Sequence, residues 1–212
     1  MLKIIKSKNQ VIFIIAIMLI CLAKSQQLKS NDMENLQILK NRILAPFFKR
    51  EIKQEKIKKF LADQKPDGSW KDVLYNNKAP AIWKTTSHLS RVMNLALAYK
   101  APKSPFKGRK SIKENTLKSL DYWLQPDFKN KNWWWNVIDI PRRLSEIGLV
   151  MEEELSENQK KKMIAIIKRS NLKGNPSWLT GQNLVWIARN NINRGIFEKN
   201  VKTKQQGQAK YI

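Results

Sequence analysis

Of the 212 residues, one is cysteine and one is histidine. The single Cys21 excludes an internal disulfide framework and any cysteine-rich zinc site. With His88 as the sole histidine, a catalytic triad, a histidine metal cage or a histidine base must use that residue or none. No metal or cofactor is expected. Seven Gly and eight Pro are too few for a collagen-like or low-complexity chain. Acidic residues are scarce too: 17 Asp+Glu face 41 Lys+Arg, a formal charge of +24. Strand-like alternation, hairpin turns and short-period repeats are absent.

What is present begins with an address. Lys3, Lys6 and Lys8 precede an uncharged apolar run from Val11 to Ile20, and Ala23-Lys24-Ser25 fits a small-x-small cleavage site. The run is short for a membrane span, so residues 1–25 are expected to be a secretory signal, with a secreted or periplasmic product. No stable membrane insertion is expected after cleavage. Cys21 raises a lipoprotein alternative, but Ile20 before it is bulky for a lipobox.

The rest reads as helices joined by loops rich in Trp, Pro, Gly and Asn. Leu36, Leu39 and Ile43 have helical spacing, Pro46 interrupts it, and Ile52, Ile57 and Phe60 resume it. Lys65-Pro-Asp-Gly68 predicts a turn. Ser87 caps a helix reaching Tyr99, and Ser111 to Leu124 forms the next. Ile140 to Met151 follows, with Pro141 in the first turn, where a missing N–H costs nothing. Ser156 and Gln159 form a capping box. A last helix starts near Gly181. The expectation is an all-α fold of stacked helical hairpins, a toroid or solenoid. Residues 198–212 lack apolar periodicity and are expected to be a polar, unstructured tail.

The tryptophans and the charge suggest a ligand, although the charge fits an AT-rich coding bias equally well and individual rings could instead plug gaps between helices. Trp123 and Trp186 fit helical core positions. Trp70, the triplet Trp133, Trp134 and Trp135, and Trp178 fall in loops or at helix edges. Three successive Trp cannot all face one core on helix or strand geometry. Aromatic faces stack on sugars or bases. Lys supplies 32 of the 41 basic residues, whereas Arg is favoured for reading phosphates and bases. A secretion signal further favours an acidic polysaccharide over nucleic acid. Arg142 and Arg143 could meet its anionic groups, although adjacent cations on a helix also suit a solvated face.

Four blocks, in order, resemble a known family. They are Asp67-Gly-Ser-Trp-Lys-Asp-Val-Leu-Tyr75, His88-Leu-Ser-Arg91 with Leu95-Ala-Leu-Ala-Tyr99, Asn132-Trp-Trp-Trp-Asn136-Val-Ile-Asp-Ile-Pro141, and Thr180-Gly-Gln-Asn183. The chain, over 31–197, is similar to the N-terminal helical domain of the family 8 polysaccharide lyases, which include chondroitin AC, hyaluronate and xanthan lyases. The resemblance implies an incomplete α/α toroid, followed in full-length members by β-sandwich domains that are not in this sequence. It also implies β-elimination at a uronic acid. Asn183 would bind the uronate carboxylate. Trp133 and Trp134 would form the aromatic patch that positions the polymer, with Trp135, Asn132, Asn136, Trp70 and Arg142 as further binding residues. The resemblance places a catalytic His and Tyr further along than Ile212, so this sequence is expected to be a truncated, inactive portion and a monomer. His88 matches a different position and is not the catalyst. Val137 and Asp139 depart from the family pattern, which has a Glu and a small residue more commonly there.

Overall fold

A computed structural model describes residues 8–172, 177 and 179–209. Trp178 lies outside the described residues. Eight helices follow in order among those described: α1 (Lys8–Phe48), α2 (Gln54–Asp63), α3 (Ser87–Lys100), α4 (Lys110–Leu124), α5 (Ile140–Met151), α6 (Glu157–Ile167), α7 (Gly181–Phe197) and α8 (Val201–Gln208). A 3-10 turn, Lys84–Thr86, leads into α3, and a π-helical turn, Trp135–Asp139, leads into α5. No strand occurs among the described residues; a lone bridge joins Gln64 to Trp70.

Helices α3, α5 and α7 pack side by side, and α4, α6 and α8 pack behind them. This is an all-α arc of helical hairpins, an incomplete α/α toroid. The C-terminal half of α1 lies across α3, α5 and α7, burying Leu36, Leu44 and Phe47. Pro46 sits in the last turn of α1, which ends two residues later. The α6 cap forms as its residue types dictate: the Ser156 hydroxyl accepts from Gln159 N–H, and the Gln159 side chain accepts from Ser156 N–H. No described helix is long and apolar enough to cross a membrane.

The tail differs from expectation. Residues 201–208 form a helix packed on α7, capped by the Asn200 side chain accepting from Thr203 N–H at 3.1 Å. Its lack of apolar periodicity has a physical cause: the helix docks through backbone. A Cβ on Gly207 would lie 2.7 Å from Ala188 O, and one on Gly195 would lie 2.3 Å from Lys204 N. Glycine at both positions replaces side-chain interdigitation with direct approach.

His88 ties the loops to this scaffold. It is fully buried. Its Nε2 lies 2.8 Å from Ser119 O, which can only accept, so Nε2 carries the proton. Nδ1 then accepts from the Tyr75 hydroxyl at 2.8 Å, and that hydroxyl accepts from Trp70 N–H at 3.0 Å. The Lys65–Gly68 turn closes beside this network, with Gly68 at φ +90° and a Cβ there only 2.5 Å from Lys118 O. One histidine thus links α3, α4 and the turn.

Burial lowers the His88 pKa to about 4 from an ordinary 6.5. The unfolded chain therefore takes up a proton first on acidification. The stabilisation is complete above about pH 6.5 and is lost as pH falls toward 4, on the order of 3 kcal/mol in all. In His88→Gln, which cannot titrate, the urea midpoint should fall less steeply with acid than in wild type; an equal slope contradicts this role. Separately, Gly207→Ala should speed amide exchange across residues 201–208 while leaving α3 and α5 protected. Unchanged exchange in α8 would refute docking through its backbone.

Candidate functional site

The Trp triplet is presented by an asparagine framework. Asn132 begins the helical segment, its side-chain oxygen accepting from Trp134 N–H at 3.0 Å and its amide donating to Pro80 O at 3.0 Å. Asn130 donates to Ala79 O and accepts from Asn132 N–H. Asn136 accepts from Asn130 N–H and donates to Asn130 O. The Trp135 indole N–H also donates to Pro80 O, at 2.8 Å. Asn132 and Asn136 therefore hold the loop with the groups expected to meet a ligand. Asn130, which the sequence reading passed over, belongs to the same framework.

The three rings separate, as the geometry of successive residues requires. Trp135 packs against the buried Trp83, centroids 6.1 Å apart. Trp134 meets Trp135 edge-on at 5.1 Å and Trp186 of α7 at 5.6 Å. Trp133 is the most open of the three, 38 % exposed. Trp186, expected in the core, is instead half-buried and supports the triplet from α7.

Thr180 is extended and Gly181 has φ +50°, which turns the chain sharply into α7. Asn183 stands half-buried in the first turn of α7. Trp186 is three residues on, so the two side chains are neighbours on one face. Trp134 rests on that same Trp186. Trp134 thus reaches α7 at Trp186, three residues from Asn183.

Two expected binding residues are placed otherwise. Trp70 is 1 % exposed, and its indole N–H donates to Phe60 O at 2.7 Å. It belongs to the core around His88 and has no face to offer a sugar. Arg142 is tied down: its guanidinium donates to Asp139 at 2.6 Å and to Glu146 at 3.3 Å. Burial opposes its charge, yet Glu146 and Asp139 hold its pKa above the ordinary value. Arg142 lines a polar cleft of about 360 Å³ with Arg50, Arg143, Glu146 and Arg189. The sequence marks Asp139 only as a departure from the pattern the chain resembles. Its spacing to Arg142 and Arg143, three and four residues on, was the available signal. Among the described residues, no group of three His, Cys, Asp or Glu could hold a metal ion.

Residues 26–210 match polysaccharide lyase family 8, N terminal alpha-helical domain. The chain is 31% identical over 156 residues to Chondroitinase-AC of Pedobacter heparinus, covering 72% of this chain and 22% of that protein. A chondroitinase AC lyase whose active site was defined with oligosaccharide complexes superposes with a TM-score of 0.75 at 26% identity, over 83% of this chain and 26% of that one. A Paenibacillus xanthan lyase gives 0.65 at 19% identity, over 84% and 19% of the two chains, a likeness of fold. The sequence spans about a quarter or less of the length of these relatives. By this match the chain belongs to polysaccharide lyase family 8, and it carries that family's N-terminal helical domain.

Proposed function

We propose that this domain forms the substrate floor of a secreted lyase that cleaves uronic-acid polysaccharides of the chondroitin or hyaluronan type by β-elimination. The observation that supports this most is the seating of Trp134 on Trp186, one turn from Asn183. An aromatic face and an amide then meet one sugar unit together. Trp133 and Trp134 stack on the ring, and the Asn183 amide donates to the uronate carboxylate. As the C5 proton leaves to a base, negative charge develops on that carboxylate group, and an amide donating to it there would stabilise it. The electron pair forms the C4–C5 double bond and expels the oxygen at C4. The net positive charge draws the polyanion in. Residues 1–25 would export the chain to where such polymers occur, and it would act as a monomer.

A binding-only reading of the 212-residue chain rests on a specific observation. His88 is bonded at both ring nitrogens and buried away from Asn183's helix. Tyr75 donates to it, and Tyr99 donates to Glu154. With these groups engaged elsewhere, the binding-only reading has none of the three take the C5 proton or return one to the leaving oxygen, steps that require hydrogen-bond reach.

The purified 212-residue chain should therefore retain chondroitin and hyaluronan oligosaccharides without generating the ultraviolet absorbance of unsaturated uronate. Appearance of that absorbance would overturn the binding-only reading. Trp134→Ala and Asn183→Ala should each weaken oligosaccharide binding about tenfold, ~1.4 kcal/mol, while Trp70→Phe, in the core, should not. Equal losses in all three, or tighter binding of single-stranded DNA at matched salt, would contradict the proposed floor.

A further inference from the structure

One cluster remains that the proposed chemistry does not use. Asp139 closes the π-helical turn and is 2 % exposed. One of its oxygens accepts from Arg142 and the other from Arg143 Nε, both at 2.6 Å. Arg143 also donates to Ser90 Oγ of α3 at 2.7 Å. Arg142 reaches on to Glu146, which is 5 % exposed. The other Glu146 oxygen accepts from Arg189 of α7 at 2.8 Å. Every carboxylate oxygen in the series has a guanidinium partner. The chain of contacts runs from the turn that carries the tryptophans, along α5, to α7.

Its far end is informative. Arg189 stands three residues beyond Trp186, which stands three beyond Asn183, so Trp186 neighbours each of them along α7. Helix α7 is thus held at two points, by the Trp134–Trp186 contact just before the π turn and by the Glu146–Arg189 ion pair on α5 beyond it. Buried carboxylates fix geometry tightly, because leaving one unpaired is costly. A π turn shifts the helical phase of the residues before it, and such turns recur at functional sites. Pro141, without an N–H to continue the regular ladder, stands two residues beyond its end.

We propose that Asp139, Arg142, Glu146 and Arg189 form a positioning relay that sets the spacing between the aromatic floor leading into the π turn and Asn183 on α7. The proposal rests on the substrate-floor reading for its consequence but not for its geometry. The relay residues do not touch the sugar. They hold the two elements that do. Asp139, with both carboxylate oxygens engaged, anchors it.

The test uses the 212-residue chain and two readouts. The first is near-ultraviolet circular dichroism of the Trp134–Trp186 pair, assigned by its loss in Trp186→Phe. The second is affinity for a hyaluronan tetrasaccharide. Glu146→Gln and Arg189→Gln should each change the dichroic signal and weaken binding about fivefold, and the double variant should be no worse than either single. Arg189→Lys, which keeps the charge, should restore part of both. An unchanged signal in both single variants overturns the relay, even if stability drops. So do affinity losses that multiply in the double variant, since independent contacts to the sugar would behave that way. If the signal responds while Trp134→Ala leaves tetrasaccharide binding intact, the relay stands and the substrate-floor reading falls.

Discussion

Helix α5 is buried along nearly its whole length. From Ile140 to Met151 only Arg142 and Arg143 retain appreciable exposure. A helix covered all round must have neighbours on every side, and α1, α3, α6 and α7 supply them. This requirement organises the molecule. The inner helices close around α5, and the outer ones back them. The segment entering α5 is pinned by the same packing, so the π turn and its tryptophans inherit a fixed position. Asn183 gains its place because α7 packs on α5.

The few acidic residues follow the same logic. Glu152 pairs with Lys40 of α1 and with Lys199 beyond α7, and the Lys40–Glu152 side chains are both largely buried. Glu153 and Glu154 share Lys100 of α3, and Glu154 also meets Lys113 of α4. Lys100, with these carboxylates around it, has a raised pKa even though burial works against its charge. Asp139 and Glu146 join α5 to α3 and α7 through arginines. Much of the negative charge is thus used between elements, where partial burial makes ion pairs geometrically specific. Lysines such as Lys161 and Lys162 stay in solvent. The outward excess of positive charge comes from that division as well as from composition.

Much of this was legible in the residues. Helical spacing places α3, α4 and α5 to within a residue or two at both ends, while for α6 and α7 the capping box and Gly181 mark the starts alone. The Thr-Gly-x-Asn block and the Trp triplet pointed to α7 and the α5 entrance. Other features left no periodic trace. Helix α8 approaches α7 closely at Gly195 and Gly207 and adds one apolar side chain, Val201, to the core, so hydropathy barely registers it. Trp70 follows a turn and resembles a loop aromatic, but the Lys65–Gly68 turn folds it into the core beside His88. Trp186 fits a core position by spacing, yet its partner is a ring on another element. Arg142 looked like a free cation because Asp139 and Glu146 were not read as its partners.

The central claim is that Asn183 and the tryptophan floor engage one uronate, the amide at its carboxylate and the rings at its face. Titration calorimetry with a chondroitin oligosaccharide and its carboxyl-reduced counterpart tests this most directly. In wild type, reduction of the carboxylates should weaken binding about tenfold, ~1.4 kcal/mol, and in Asn183→Ala the two ligands should bind alike. If Asn183→Ala still discriminates between them as strongly as wild type, the amide does not read the carboxylate and the account of this site is wrong.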